Sequence, residues 1–372
     1  MTETDKTIRV LHIVGNLRFG GAQVVVKQIV ENTDSNTFQH TIYPLRTTAN
    51  DMPIDGAIIQ HGRFDYDIRK FFDLIRICKD EKIDIVHAHL QKSILAGLGL
   101  TWFCPVPLIV HEHGPVTRSG LSHSFYRLML RWLHGRSATV IANSEAISTI
   151  LRQQTHIPEE KITVIPNAVD LDHFQPNSER RAVLRQQYGF DDGDIVVGFV
   201  GRLHEVKGID CLVTAMRTLV QQDSRFKLVL IGDGPLKESL QEKAESMGVL
   251  HHIVFLGYRE DVSDAMNLFD IGCLPSRHEA FGIAAVEMMS MKIPLVCSSV
   301  EGLGEITEHN KTALHLPAIT PVSITQSILE LSGNDPLKET LRRNGFEASR
   351  HFGLEPFIAH IEQVYRQVVK PN

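Results

Sequence analysis

A chain of 372 residues is long enough for two domains with separate cores. Its 43% hydrophobic and 22% charged residues exclude a disordered or fibrous protein, and a net charge of −6 argues against a dedicated nucleic-acid binder. The charge is uneven. Residues 1–186 hold 21 Lys and Arg against 19 Asp and Glu, leaving 17 against 25 for the rest, so the first half receives an anionic partner more readily.

In chain order, a polar start is followed by a first strand at 8–14, which does not read as a secretory leader. Further strands are expected at 40–45, 83–87, 108–111, 139–142 and 162–165, alternating with helical patterns. A second set is expected at 195–200, 227–231, 253–256, 271–274 and 295–297. Such alternation predicts parallel sheets covered by helices. Pro176, a short charged helix and an Asp-Asp-Gly-Asp turn within 174–194 read as a linker. The expected division is 1–173, 174–350 and a C-terminal helical segment, 351–372, packing back on the domains. Two doubly wound units would face each other across a cleft, with ligands at the carboxyl ends of their strands.

The longest uncharged run, 93–110, is cut by Gly97, Gly99, Pro105 and Pro107, so it reads as helix, turn and strand. A membrane span needs about 20 continuous apolar residues. Five scattered cysteines without a C-x-x-C pair read as reduced core thiols of a cytoplasmic protein.

The chemistry gathers in loops. The first strand runs into Gly15-Asn16-Leu17-Arg18-Phe19-Gly20-Gly21-Ala22-Gln23, which is neither a dinucleotide fingerprint nor a P-loop. What remains is a glycine turn opening a helix, suited to a phosphate or sugar or simply to a tight turn. In the second half, Gly201-Arg202-Leu203-His204-Glu205-Val206-Lys207-Gly208 follows a strand, so Arg202 and Lys207 could both reach one diphosphate. Gly232-Asp233-Gly234-Pro235 is a similar turn.

In Ser276–Glu287, two glutamates, Glu279 and Glu287, flank Phe281-Gly282-Ile283 where a helix begins and offers free amides. A carboxylate at 287, in an apolar run, needs a hydrogen-bonding partner such as a sugar hydroxyl. His87-Ala88-His89 and His111-Glu112-His113 place histidines two apart on strands. Each pair could chelate zinc, yet hydrogen bonding or acid–base work at strand ends facing the cleft fits better, with a purely structural role for each single histidine the alternative. The acid-free stretch 123–136 mixes aromatics with Arg127, Arg131 and Arg136. It reads either as an interfacial helix for anionic lipid or as a partly buried domain helix.

Taken in order, Gly20-Gly21-Ala22-Gln23, Asp84–His89, Ala142-Asn143-Ser144, Val164–Asp170, Phe199–Leu203, Lys207-Gly208, Ile231–Pro235 and the Glu-x7-Glu segment resemble family 4 of the glycosyltransferases, the group 1 transferases of the GT-B fold. The resemblance covers nearly the whole chain. It implies retaining transfer from a nucleoside-diphosphate sugar, UDP-sugar favoured, to a lipid-linked or glycan acceptor in cell-surface polysaccharide or glycolipid synthesis. It further implies that Arg202 and Lys207 hold the diphosphate, Glu279 lies by the donor sugar, and Glu287 accepts the ribose hydroxyls. The amides of Phe281, Gly282 and Ile283, with Gly20, Gly21, Gly201 and Gly232, line the donor, and His113 is the histidine of the acceptor domain. Neither a metal nor a cofactor is expected. A cytoplasmic enzyme, peripheral on the membrane through 123–136, follows from the same reading.

The chain departs from the family pattern in Met288–Lys292, Gly302-Leu303-Gly304-Glu305 and Asn310–Ala313, loops that bear on donor identity. A GDP-mannose-dependent transferase, a sugar-nucleotide epimerase, a phosphorylase and a non-catalytic sugar-nucleotide-binding partner are the alternatives.

Overall fold

The computed structural model describes residues 7–17, 20–47, 51, 52, 54, 68–114, 137–155 and 157–369. Two compact units form. The first runs to Ala168 and takes back the C-terminal helix Leu354–Val369, and the second is Val169–Gly353.

The first unit holds β1 (Ile8–Val14), β2 (Phe38–Pro44), β3 (Ile85–His89), β4 (Leu108–Glu112), β5 (Thr139–Ala142) and β6 (Ile162–Val164), in the order β2-β1-β3-β4-β5-β6. The second holds β7 (Ile195–Val200), β8 (Phe226–Ile231), β9 (Ile253–Gly257), β10 (Ile271–Leu274), β11 (Leu295–Cys297) and β12 (Leu314–His315), in the order β12-β11-β10-β7-β8-β9. Every pairing is parallel. Strands covered on both faces are mostly apolar, and β4, β5 and β10 are wholly buried, β4 together with its polar His111 and Glu112. Strand order reverses between β1 and β3 and again between β7 and β10. Open sheets of this kind leave a crevice at those points.

Two expectations, the strand count of the second unit and the linker, are revised. The short strand β12 has too few residues to leave a periodic pattern. The segment 174–194 is not a free linker: its helix Ser178–Gln187 is fixed to the second unit by Arg181 on Asp270 at 2.6 Å, and Asp270 also accepts the Val196 amide. All five cysteines are free thiols, four of them buried. No helix among the described residues is long and apolar enough to cross a membrane.

Glycine is required where backbone meets backbone. Gly232, at φ 128°, would place a Cβ 2.1 Å from the Gly201 carbonyl oxygen, and Gly208, at φ 63°, would place one 2.0 Å from that of Pro275. These contacts hold the turns after β7, β8 and β10 together.

One face of the first sheet carries His12, His40, His87, His89 and His111. The register sets His12 beside His87 and His89 beside His111, and the shared parity of neighbouring strands puts them on the same side. His12, His87, His89 and His111 are at most 1% exposed. The expectation that His87, His89 and His111 sit at open strand ends is therefore corrected: they are core residues. Their rings pack closely, with centroids 4.1 Å apart for the tilted pair His87–His89 and for the stacked pair His111–His113. Tyr365 of the C-terminal helix closes the face, its hydroxyl 2.8 Å from His87 Nδ1. Burial, reinforced by neighbouring rings, holds His12, His87, His89 and His111 far below the usual imidazole range. Burial alone lowers His40 to about 4 and His113 to about 3.

Two predictions follow from packing and burial. Gly232→Ala should cost about 2–3 kcal/mol through strain and overpacking, seen as a lower urea midpoint; an unchanged midpoint would show that the turn yields freely. For the histidines, folded pKa values lie below the unfolded value of about 6.5, so their stabilisation is complete above it and is lost as pH falls. By pH 5.5 the loss should be about 1 kcal/mol per histidine. Trp102 and Trp132, the chain's two tryptophans, both precede Ala168, so their fluorescence in urea follows this unit. Equal midpoints at pH 7.5 and 5.5 would contradict the prediction.

Candidate active site

The second unit builds its polar cluster at the β7/β10 reversal. After β7, the Gly201 amide donates to the Ile231 carbonyl at 3.0 Å, and the Leu203 amide to that of Asp233 at 2.9 Å. These bonds, with Leu203 buried, leave Arg202 exposed between them. No acid among the described residues pairs with Arg202. A short turn follows, Glu205–Lys207, capped by His204, whose Nδ1 accepts the Val206 amide at 3.2 Å. It delivers Lys207 Nζ to 2.5 Å from Glu279 Oε2.

Glu279 is held from every side. Ser276 Oγ donates to the same carboxylate oxygen at 3.1 Å. Its amide donates to Glu301 Oε2 at 3.1 Å, and its carbonyl accepts the Gly302 amide at 2.9 Å. Glu301 also meets His278 Nδ1 at 2.8 Å and sits at φ 22°, an uncommon conformation for a non-glycine residue. Arg277 forks onto Asp210 at 2.8 and 2.9 Å, anchoring this turn to the helix Ile209–Gln222. Spacing could not single out Glu301, Ser276 or the Arg277–Asp210 pair. Glu301 lies 22 residues beyond its partner, and only the fold joins them.

The expected helix start is present as Ile283–Ser290, with Gly282 at φ 105° before it. A Cβ there would lie 2.8 Å from Leu303 Cδ2. Phe281 is buried with its ring against Phe352, centroids 5.5 Å apart, so its side chain serves the core and only its backbone is left for a ligand. First-turn amides of a helix have no acceptor within it. Glu287, on the next turn, has no ion pair among the described residues, and burial raises its carboxyl to about 7. Near neutrality it can both donate and accept, which suits a diol. Glycine is required at 302, where a Cβ would sit 2.3 Å from the Ala280 carbonyl oxygen, directly behind the Glu279 loop.

The remaining expected residues belong to the first unit. Gly20 precedes the helix Gly21–Asn32, and Gln23 Nε2 donates to the Asn16 carbonyl at 3.2 Å, bracing the loop after β1. His113 follows β4, partly buried, with Nε2 3.2 Å from His89 Nδ1. The structure thus joins Lys207 with Glu279, sets Arg202 on the neighbouring turn, and places His113, Gly20 and Gly21 in the other unit. The stretch 123–136 lies outside the described residues. Among the described residues, two histidine triads have ligand atoms close enough for a metal ion: His12, His87 and His89, and His89, His111 and His113, each within 4.8 Å.

Residues 19–173 match the family described as Glycosyltransferase Family 4, and residues 180–348 match that described as Glycosyl transferases group 1. The putative glycosyltransferase EpsF of Bacillus subtilis (strain 168) is 27% identical, over 93% of this chain and 94% of its own. The UDP-Gal:alpha-D-GlcNAc-diphosphoundecaprenol alpha-1,3-galactosyltransferase of Escherichia coli is 28% identical, with 63% of each chain covered. Anabaena Alr3699/HepE, solved in complex with UDP-glucose, superposes at a TM-score of 0.84 and 21% identity, covering 97% of this chain and 100% of that one. This last likeness concerns the fold, and the two parallel six-stranded units are those of GT-B. Matched by one family profile in each half, the chain belongs to the group 1 glycosyltransferases of family 4.

Proposed function

We propose that this sugar transferase takes its sugar from a UDP-sugar and passes it, with retention, to a glycan or lipid-linked acceptor. The observation that carries the reading is the exposed, acid-free Arg202 beside the Lys207–Glu279 pair at the strand-order reversal of the second unit. A diphosphate brings negative charge that Arg202 can take through its planar fork and Lys207 as a point charge. Support for the uridine nucleotide comes from the UDP-glucose complex of Alr3699/HepE. Support for a lipid-linked acceptor comes from the name of the Escherichia coli relative.

In this reaction the bond from the anomeric carbon to the β-phosphate oxygen breaks, and charge gathers on the departing UDP. Arg202 and Lys207 stabilise that charge where it develops, a role that needs no metal ion. The acceptor oxygen bonds to the anomeric carbon on the face the phosphate leaves, and the departing phosphate takes the acceptor proton. Glu279, with one oxygen on Lys207 and Ser276, is pre-set to hold sugar hydroxyls, and its amide and carbonyl anchors keep it there. Glu287 receives the ribose diol, Gly201 and Gly232 keep the turns low beneath the phosphates, and the Gly282 and Ile283 amides meet the donor. His113, Gly20 and Gly21 serve from the acceptor unit. We further propose work at an anionic membrane face. The basic, aromatic stretch 123–136 supports it, as do Trp102 and Phe103, exposed by 55% and 57% beyond the helix Gln91–Leu100.

Ligand-dependent melting tests the donor. UDP at about 100 times its dissociation constant should add roughly 2.7 kcal/mol, whereas GDP, ADP, CMP and dTDP should add little. A shift with GDP alone would move the donor class to GDP-sugars, and no shift with any would favour an inert partner. Arg202→Ala should lower kcat about 10²–10³-fold, the loss expected when one charge-stabilising donor is removed, with an unchanged melting temperature. Near-normal turnover would remove Arg202 from the reaction. Arg127, Arg131 and Arg136 together changed to Glu should release the protein from anionic vesicles in flotation, and retained binding would dismiss that surface.

A further inference from the structure

The histidine face of the first unit contains a continuous chain of hydrogen bonds whose direction can be worked out. Thr33 caps the C-terminal end of the helix Gly21–Asn32, and its Oγ1 donates to the Ile29 carbonyl at 2.9 Å. A hydroxyl has one hydrogen. At its 2.7 Å contact with His40 Nε2, Thr33 therefore accepts, and the hydrogen belongs to His40. A neutral imidazole carries one N–H, so His40 Nδ1 is bare and takes the hydrogen of His12 Nε2 at 2.9 Å. By the same rule His12 Nδ1 accepts from His89 Nε2 at 3.1 Å, and His89 Nδ1 accepts from His113 Nε2 at 3.2 Å. The chain crosses β2, β1 and β3 and ends past β4. At its end His113 Nδ1 is a buried lone pair with no partner among the described residues.

Burial keeps the four rings neutral, so each has one hydrogen to give. The reverse direction is worse on two counts. It takes the Thr33 hydrogen from Ile29, and it leaves a buried N–H on His113 Nδ1 with no acceptor among the described residues, and orphaned donors are the rarer and costlier case. The two metal-sized triads share His89, both of whose ring nitrogens are already engaged in the chain.

We propose that Thr33, His40, His12 and His89 are positioning residues that hold His113 as its Nε2–H tautomer and present Nδ1 as a bare acceptor for a sugar hydroxyl. The last clause rests on the reading of His113 as a residue of the transfer reaction, whereas the tautomer order stands by itself. A threonine at a helix end on one edge of the sheet thus sets the hydrogen on a ring three strands away.

Full-length protein carrying ¹⁵N-histidine tests this in long-range ¹H–¹⁵N spectra at pH 7.5, with the His113 signals identified by their loss in His113→Gln. His113 should show a protonated Nε2 and a bare Nδ1. Thr33→Val should move both His113 nitrogens toward the average of the two tautomers, and Thr33→Ser should restore them. Should Thr33→Val fail to fold, His40→Gln breaks the next link and should move the same signals. With the competent tautomer half populated, the apparent acceptor affinity should fall about two-fold. A protonated Nδ1 on wild-type His113, or unchanged His113 signals in folded Thr33→Val, would overturn the chain. So would stoichiometric Zn²⁺ shifting His89, His111 and His113 together. Undiminished transfer by His113→Gln would overturn only its role toward the sugar, so the two failures are distinguishable.

Discussion

Parallel strands can be joined only by crossing back over the sheet, so all their carboxyl ends lie along one edge. Everything chemical in this protein depends on that constraint. In each unit the apolar strands bury themselves on both faces, and the residues that cannot be buried collect in the loops at that edge. Where strand order reverses, neighbouring loops turn to opposite sides and leave room. Arg202, Lys207 and Glu279 occupy such a place after β7 and β10, as does the Gly15–Gly20 loop after β1.

Within the second unit, charge and backbone are arranged for different tasks. Lys207, Ser276 and Glu301 hold Glu279 in one position, while Arg202 is left without an acid. An ion pair between Lys207 and Glu279 limits the net positive charge of the site, and the Arg202 guanidinium, unpaired among the described residues, retains the attraction for an anion. The glycines play no part in this electrostatics. Gly208, Gly232 and Gly302 let three loops touch through backbone atoms, and that contact fixes the distance from Lys207 to Glu279.

The first unit uses burial in another way. Five histidines on one sheet face would be expensive as cations, and burial keeps them neutral. Neutral imidazoles both give and accept a hydrogen, so His40, His12 and His89 on adjacent strands satisfy one another where carboxylates or lysines could not, whereas neither His111 nitrogen has a partner among the described residues. The same neutrality gives the chain of hydrogen bonds a direction, because each ring has only one hydrogen to place.

Much of the site was legible from the residues. Strand and helix alternation, the glycine turns after β1, β7 and β8, the Arg202/Lys207 spacing and the Glu-x7-Glu segment are local, and local spacing determines which face or turn a residue occupies. The edges of elements and the two-residue β12 were less legible, because their pairing depends on neighbours far along the chain. Tertiary structure alone decided that Lys207 is bound to Glu279, that Glu301 supports it, and that His87, His89 and His111 lie in the core instead of at open strand ends. It also decided that His12 and His40 belong with them. Sequence spacing states which residues share a strand face, but which strands lie side by side is set by packing over the whole sheet. A hydrogen bond from Thr33 through His40, His12 and His89 to His113 exists only once that order is formed.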